Sequence, residues 1–322
     1  MSEKGWYYSQ LEAIRHEMLE RPDMLFYYEL TAPRVSVPAT INLEQEFGRD
    51  RVYNSSINEM WYASAAIGAG MIGTRVVAYI PYQGGTVAFD VLRQHAGKIR
   101  YKTGGVASIP VVFFIEESGQ GATIGPQHSD WDQDIYFAHM PGIKVVVPST
   151  VYDAKGLMHA AIRDPDPVVY INGGRLKGQV QDVPDEPYEV AIGEAAVRSE
   201  GTDLTIVGYG SVMPYVLQVA ADLVASGVST EVIDLRSLFP LDRQALINSA
   251  SKTGKLLVVE PGKFSYGVGA EVIASVAEAV PGVVARRIAY SDSPPPAARE
   301  MFEFMQVTPE RIAAAAQVVL AS

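Results

Sequence analysis

A carboxylate, Glu59, stands in the stretch NSSINEM (54–60), between a strand-like DRVY and the Ala/Gly-rich apolar run WYASAAIGAGMIG. A carboxyl group between Ile57 and Met60, at the mouth of an apolar helix, has the chemistry of a proton donor or acceptor held away from water. Two plainer readings compete with it. One is an exposed first-turn glutamate favoured by the helix dipole. The other is the N3 residue of a capping box whose cap is Ser56. Caps are commoner than active sites, so the local sequence by itself favours the plainer readings. His128 is the second chemical candidate. It follows the Gly-rich GQGATIG (119–125) in PQHSDWDQD, a polar loop rather than an apolar face, which suits proton transfer. Paired with Ser129 it has the types of a base and its nucleophile, but the G-x-S-x-G elbow of a serine hydrolase is absent. A third stretch, VVEPGKFSYGVGAEV (258–272), sets glycines between a strand and a helix, where the backbone can approach a ligand or another subunit closely.

The elements that must carry these residues alternate. Apolar spacing predicts a helix over 8–20, and RVVAYIPY (75–82) reads as a strand. TVAFDVLRQHAGKIRYKTGG (86–105) reads as a helix with a glycine stop, and IPVVFFIEE (109–117) as a strand buried on both faces. IKVVVPS (143–149) is another strand, and Asp153 is placed to cap the helix after it. That helix closes at Asp-Pro pairs before the strand PVVYIN (167–172). Residues 173–190 lack apolar period and read as a linker. A second unit follows, with strands over 203–210, 229–236 and 255–262 and helices over 213–227, 242–254 and 269–280. The fold class is therefore α/β, with parallel sheets, in two domains over 1–185 and 186–322.

The bulk numbers narrow the function. At 322 residues the chain is long enough for two cores, and its formal charge of −11 argues against a nucleic-acid surface. There are no cysteines, which excludes thiolate nucleophiles, disulfides and zinc–thiolate sites. No apolar run is long enough for a signal sequence or a membrane span, so a cytoplasmic location is expected, with no membrane or nucleic-acid partner.

The whole chain carries more than these spacings. FGRDRVYNSSINEM, GAGMIGTRVVAYI, KIRYKTGG, QHSDWDQDIYFAHMPGIKVVVPSTVYDAKGLMHAAIRDPDPVVYI, EGTDLTIVGYGS, VSTEVIDLRSLFPLD and GVGAEV occur in that order over about three-quarters of the chain. In this the sequence resembles the β subunit of the thiamine-diphosphate-dependent E1 component of 2-oxoacid dehydrogenases (pyruvate, branched-chain and acetoin types), a relative of the transketolases. The resemblance implies a thiamine-diphosphate-binding fold: a pyrimidine-type parallel-sheet domain, then a smaller transketolase C-terminal-like domain. Ser56-Ile57-Asn58-Glu59 matches the family's P-I-x-E, which implies that Ile57 lies against the cofactor and that Glu59 hydrogen-bonds N1′ of its aminopyrimidine. There a buried carboxyl of raised pKa moves the proton that activates the thiazolium. His128 matches a residue that handles protons or guides acyl transfer to a lipoyl arm, although Asp130 replaces the usual glutamine. His139 matches a supporting position. Val111, Ala161, Ile162, Asp164 and Asp166 match positions where some relatives hold potassium, largely through backbone carbonyls.

Departures are equally specific. The family's stacking phenylalanine falls at Gly84, leaving Tyr82, two residues away, to supply a ring; an aromatic pair is worth roughly 0.5–1.5 kcal/mol. YYELTAPRVSVPAT (27–40) replaces the family's N-terminal G-E-D-V stretch, and acids stand in IEESGQGATIG where relatives often have an arginine. These suggest a reshaped substrate pocket. The G-D-G that marks a diphosphate–Mg²⁺ site is absent. The resemblance therefore implies an α subunit that supplies that half of the site, in an α2β2 assembly. The expected reaction is decarboxylation of a small-molecule 2-oxoacid, or cleavage of an acyloin, with acyl transfer to a lipoyl E2 component. Two alternatives are a split transketolase-like or acyloin-forming synthase without a lipoyl acceptor, and a non-catalytic scaffold subunit.

Overall fold

The structure is a computed structural model that describes residues 1–29, 41–81, 84–117 and 133–322. The chain divides into two compact units, the first comprising 1–118 and 136–192, the second 119–135 and 193–322.

The first unit is built on a parallel sheet. Its strands are β2 (Leu25–Glu29), β3 (Val52–Ser55), β4 (Val76–Ile80), β5 (Val111–Glu116), β6 (Lys144–Val146) and β7 (Val168–Asn172), after a short N-terminal β1 (Ser2–Gly5). They lie in the order β6-β7-β5-β4-β2-β3, and every neighbouring pair is parallel. Every residue of β4, β5 and β7 is buried, which is why these strands read as unbroken apolar runs. One face packs on the helices Trp6–Glu20 and Val151–Arg163 through Ile14, Met18, Val77, Phe114, Leu157 and Tyr170.

Three expectations change. The segment read as a linker contains β8 (Val180–Val183), which pairs antiparallel with β1, Ser2 opposite Val183. That hairpin-like closure joins two segments distant in sequence, which no local period can announce. The helix expected over 86–105 is broken into Gly84–Val87, Phe89–Val91, a π-turn at Leu92–Ala96, and Ile99–Lys102. The helix after β6 is capped by Thr150 rather than Asp153: the Asp153 N–H donates to Thr150 Oγ1 at 3.0 Å, so Asp153 is the third helical residue.

The second unit has its own sheet, ordered β14-β13-β10-β11-β9. These are β9 (Ala196–Ser199), β10 (Leu204–Gly208), β11 (Thr230–Asp234), β13 (Lys255–Lys263) and β14 (Val284–Tyr290), with a short β12 (Ser237–Phe239) after β11. β9 runs antiparallel to β11; the remaining pairs are parallel. Helices over Met213–Ala225 and Pro309–Leu320 cover a core of Leu204, Val216, Val232, Leu257, Val307 and Ile312.

Candidate active site at the switch point of the first sheet

The connections of the first sheet reverse direction between β3 and β4. The chain leaves β2 toward β3 on one side, then returns to β4 and proceeds to β5 on the other. The crevice at the C-terminal ends of β2 and β4 is where open parallel sheets bind ligands. Glu29 ends β2, and the register sets it opposite Ser55 of β3. Gly84 opens the first turn after β4. The crossover from β3 to β4 is the helix Glu59–Met71, whose first residue is Glu59. The edge therefore gathers Glu29, Glu59 and Gly84 from three separate stretches of chain.

The helix places Glu59 for a reason visible in its pattern. Its buried residues are Tyr62, Ala63, Ala66, Ile67 and Gly70. Counted from Glu59 these fall at i+3, i+4, i+7, i+8 and i+11, so Glu59 heads the sheet-facing stripe. The cap is Asn58, whose Oδ1 accepts from the Trp61 N–H at 3.0 Å. Ser56 is not the cap, and Glu59 stands at the first helical position instead of N3, so the capping-box reading is removed. The favourable interaction of a first-turn carboxylate with the helix dipole remains.

Glu59 is only half-buried, and Ile57 and Met60 beside it are 61% and 47% exposed. The apolar surroundings expected from sequence are present, but in the single chain they form an open wall. Trp61 is also exposed and packs on Tyr53, ring centroids 5.6 Å apart. Gly84 lies against the carboxylate. A Cβ there would sit 2.6 Å from Glu59 Cγ and 2.7 Å from Ile80 Cγ2, so the backbone reaches Glu59 only because the residue is glycine. This gives the missing phenylalanine a physical reading: at this position a side chain and the present Glu59 cannot coexist.

Two residues of this crevice carry no motif signal. Tyr62, one turn after Glu59, is fully buried, and its hydroxyl has no hydrogen-bond partner among the described residues. Burial pushes its phenol far above the usual range, and the charges of Glu29 and then Glu59 add to this. Glu29 is itself 3% exposed. A tyrosine three residues after a candidate carboxylate was the available sequence signal.

Tyr82 and His128 lie outside the described residues. His139 is exposed. The residues matched to a potassium site lie at the start of β5 and around the C-terminus of the helix after β6. Val111 starts β5, Ala161 and Ile162 end the helix after β6, and Asp164 caps it. Oxygens of Ile162, Asp164 and Asp166 already face cationic side chains. Arg75 Nη1 donates to the carbonyl of Asp164 at 2.9 Å and to that of Ile162. Lys144 pairs with the Asp164 carboxylate at 2.5 Å, and Arg100 pairs with Asp166. A further cation does not fit this arrangement unless Arg75 moves away. Among the described residues, no three or more His, Asp or Glu side chains cluster to hold a metal. No helix described is long and apolar enough to cross a membrane.

Among the buried acids of the second unit, Glu260 stands in the glycine-containing 258–272 stretch. Glu260, within β13, is fully buried, and its Oε2 accepts from the Gly269 N–H at 2.8 Å. A Cβ at Gly267 or Gly269 would fall 2.3 or 2.7 Å from its carboxylate oxygens, which explains these two glycines of the 258–272 stretch without a ligand. Burial pushes its pKa up to about 7, against the Gly269 N–H, with the charge of Asp134 adding to the rise.

Comparison with known proteins agrees with this architecture. Residues 6–173 match the transketolase pyrimidine binding domain, and 193–312 match the transketolase C-terminal domain. A solved structure described as a split-gene transketolase, inactive beta4 tetramer, superposes with a TM-score of 0.82 over 98% of both chains at 21% identity. The fold and its two matched domains are those of the transketolase class. A pyruvate dehydrogenase E1 component subunit beta from Acholeplasma laidlawii is 37% identical over 281 residues, 85% of each chain. A 2-oxoisovalerate dehydrogenase subunit beta from Bacillus subtilis (strain 168) is 36% identical over 283 residues, 86% of each. The chain belongs to the family of 2-oxoacid dehydrogenase E1 beta subunits.

Proposed function

We propose that this chain is the β subunit of a two-chain, thiamine-diphosphate-dependent enzyme that decarboxylates a 2-oxoacid and passes the acyl group to a lipoyl carrier. The observation that carries the proposal is the juxtaposition of Glu59 with the Gly84 backbone at the switch point, beside the exposed apolar wall of Ile57 and Met60. That arrangement fits the aminopyrimidine half of the cofactor. Glu59 offers an oxygen for a ring nitrogen, Gly84 lets the backbone lie against that carboxylate, and Ile57 offers apolar contact. When bound, thiamine diphosphate supplies the electron sink for the decarboxylation.

The residues of this chain then have distinct tasks. Glu59, covered by the cofactor and a partner, loses its remaining contact with water. Its carboxyl can there hold and return a proton at the pyrimidine nitrogen. The helix that carries it is fixed by the Asn58 cap and the small residues Ala63, Ala66 and Gly70 on its buried stripe. Proton handling on the substrate side is proposed for His128, and ring contact for Tyr82. The diphosphate and its Mg²⁺ are assigned to an α subunit, in an α2β2 assembly that would meet an E2 component. The apolar wall beside Glu59 is the surface this reading gives to cofactor and partner.

The test is to purify the chain with its partner and measure bound thiamine diphosphate, then acylation of a lipoyl acceptor. Glu59→Ala is expected to abolish turnover, a loss of at least 10²-fold, while the complex still assembles. Near-normal turnover in that variant would remove Glu59 from the chemistry. Carbon–carbon ligation without a lipoyl acceptor would point to the synthase reading instead.

A further inference from the structure

We propose that Glu260 and Arg287 form a proton-operated latch on the aromatic loop 264–267 of the second unit. With Glu260 protonated, Arg287 holds the loop through Phe264; with Glu260 ionised, Arg287 turns inward to the carboxylate and releases it. The groups involved all belong to the second unit, so the latch does not depend on the reading of Glu59. One nitrogen has two acceptors to choose from. Arg287 Nη1 donates to the Phe264 carbonyl and lies 4.0 Å from Glu260 Oε1. The guanidinium carbon also stands 4.0 Å from the centre of the Phe264 ring. Glu260 is fully buried, its Oε2 accepts from the Gly269 N–H at 2.8 Å, and its Oε1 has no hydrogen-bond partner among the described residues.

The proton on Glu260 decides between them. A protonated carboxyl offers Arg287 no opposite charge, and the guanidinium stays on the ring and carbonyl of Phe264. An ionised one is a buried charge with an open acceptor, which must be paired. Two charged groups act on it: Asp134, whose Oδ2 accepts from the Tyr209 hydroxyl at 2.6 Å and which repels it, and Arg287, which attracts it. On the loop side, Arg287 and Lys263 both interact with Asp292. Closing from 4.0 Å to the ~2.8 Å of a charge-assisted hydrogen bond draws Nη1 about 1 Å toward the carboxylate. The loop is further held by the Phe264 N–H on the Tyr290 carbonyl at 3.0 Å and by Ser265 on Asp292 at 2.8 and 2.6 Å. Tyr266 stands at φ 61°, a left-handed conformation that persists only where its surroundings hold it. Phe264 and Tyr266 are 43% and 89% exposed, so losing Arg287 frees both rings. Burial pushes the Glu260 carboxyl up to about 7, so the latch is closed below neutrality and open above it.

The test places a fluorinated phenylalanine at position 264 of the full chain and follows its fluorine resonance across pH. The resonance is expected to move once, with a midpoint at about pH 7, as the ring leaves the guanidinium. Glu260→Gln keeps the shape of the protonated acid and is expected to hold the low-pH position throughout. Arg287→Gln is expected to hold the released position throughout. Chymotrypsin cleavage after Phe264 and Tyr266 gives a second reading. The wild-type rate relative to Glu260→Gln, a ratio that cancels the protease's own pH dependence, is expected to rise several-fold across the midpoint. A resonance that stays still, or that moves equally in Glu260→Gln, overturns the proposal. So does a resonance that still titrates in Arg287→Gln, because the ring then senses the carboxylate directly and not through Arg287. Thermal melting shows whether each variant is folded; if Glu260→Gln is not, Arg287→Gln decides on the same terms.

Discussion

At the scale of single residues, the site depends on one close approach. Gly84 lets the backbone after β4 lie against Glu59, and any side chain there meets Glu59 Cγ and Ile80 Cγ2. Gly84→Ala is therefore expected to displace Glu59 and to cost about 1–3 kcal/mol of overpacking. A rise in the dissociation constant for thiamine diphosphate, with a lower melting temperature, would show it. An unchanged constant would mean that Glu59 has another rotamer open to it. Glu260 gives a second residue-scale expectation. Its folded pKa is raised from 4.5 to about 7. Its contribution to stability is thus fully present below about pH 4.5 and is lost as pH rises through about 7. Glu260→Gln should abolish that decline, so that the variant gains on wild type by on the order of 3 kcal/mol above neutrality. Denaturant unfolding at acid and at mildly alkaline pH measures this, and equal slopes for the two proteins would refute it.

At the scale of elements, the helices Trp6–Glu20 and Val151–Arg163 are tied by a buried carboxylate. Glu17 is fully buried; its Oε1 meets His159 Nδ1 at 2.6 Å and Arg163 Nε at 2.8 Å, and its Oε2 meets Arg21. Burial alone pushes its carboxyl up, but His159, Arg163 and Arg21 together hold it below the usual range. His16, stacked on His159 with ring centroids 5.8 Å apart, has its imidazole pKa lowered by burial and then by Lys155. Both groups have depressed folded pKa values. Their stability is present above the unfolded values, near 6.5 for His16 and 4.5 for Glu17, and is lost as pH falls through the folded ones. Glu17→Ala leaves Arg163 and His159 without their carboxylate, and a loss of about 3–5 kcal/mol is expected by denaturant unfolding. A change below 1 kcal/mol would show the ion cluster to be neutral to the fold. The pairing of these helices was not legible in the sequence, since Glu17 and His159 are 142 positions apart.

At the scale of the whole molecule, each unit has its own sheet and core, and Glu29, Glu59, Tyr62 and Gly84 all belong to the first. The wall beside Glu59 is open in the single chain: Ile57, Met60 and Trp61 are each about half exposed or more. The two-chain reading requires that wall to be covered. Adding the partner should therefore shift the emission of Trp61 to the blue, isolated by comparison with Trp61→Phe. An emission unchanged by a partner that nonetheless restores cofactor binding would place the interface elsewhere.

What the sequence determined by itself was the alternation of buried strands and amphipathic helices, and through it the α/β class. The burial of β4, β5 and β7 on both faces leaves unbroken apolar runs that nothing else explains as well. It also marked Glu59, because an acid at the head of an apolar stripe is chemically out of place. It could not give β8, whose partner is at the other end of the unit, nor the pairing of Glu17 with His159. It could not bring Glu29 to Tyr62 and Glu59, because that depends on β2 lying between β3 and β4, a strand order that follows from long-range pairing rather than from chain order. The tertiary structure also decided what Gly84 means. In the sequence it is a missing aromatic; in the fold it is the one residue small enough to let the backbone reach the carboxylate.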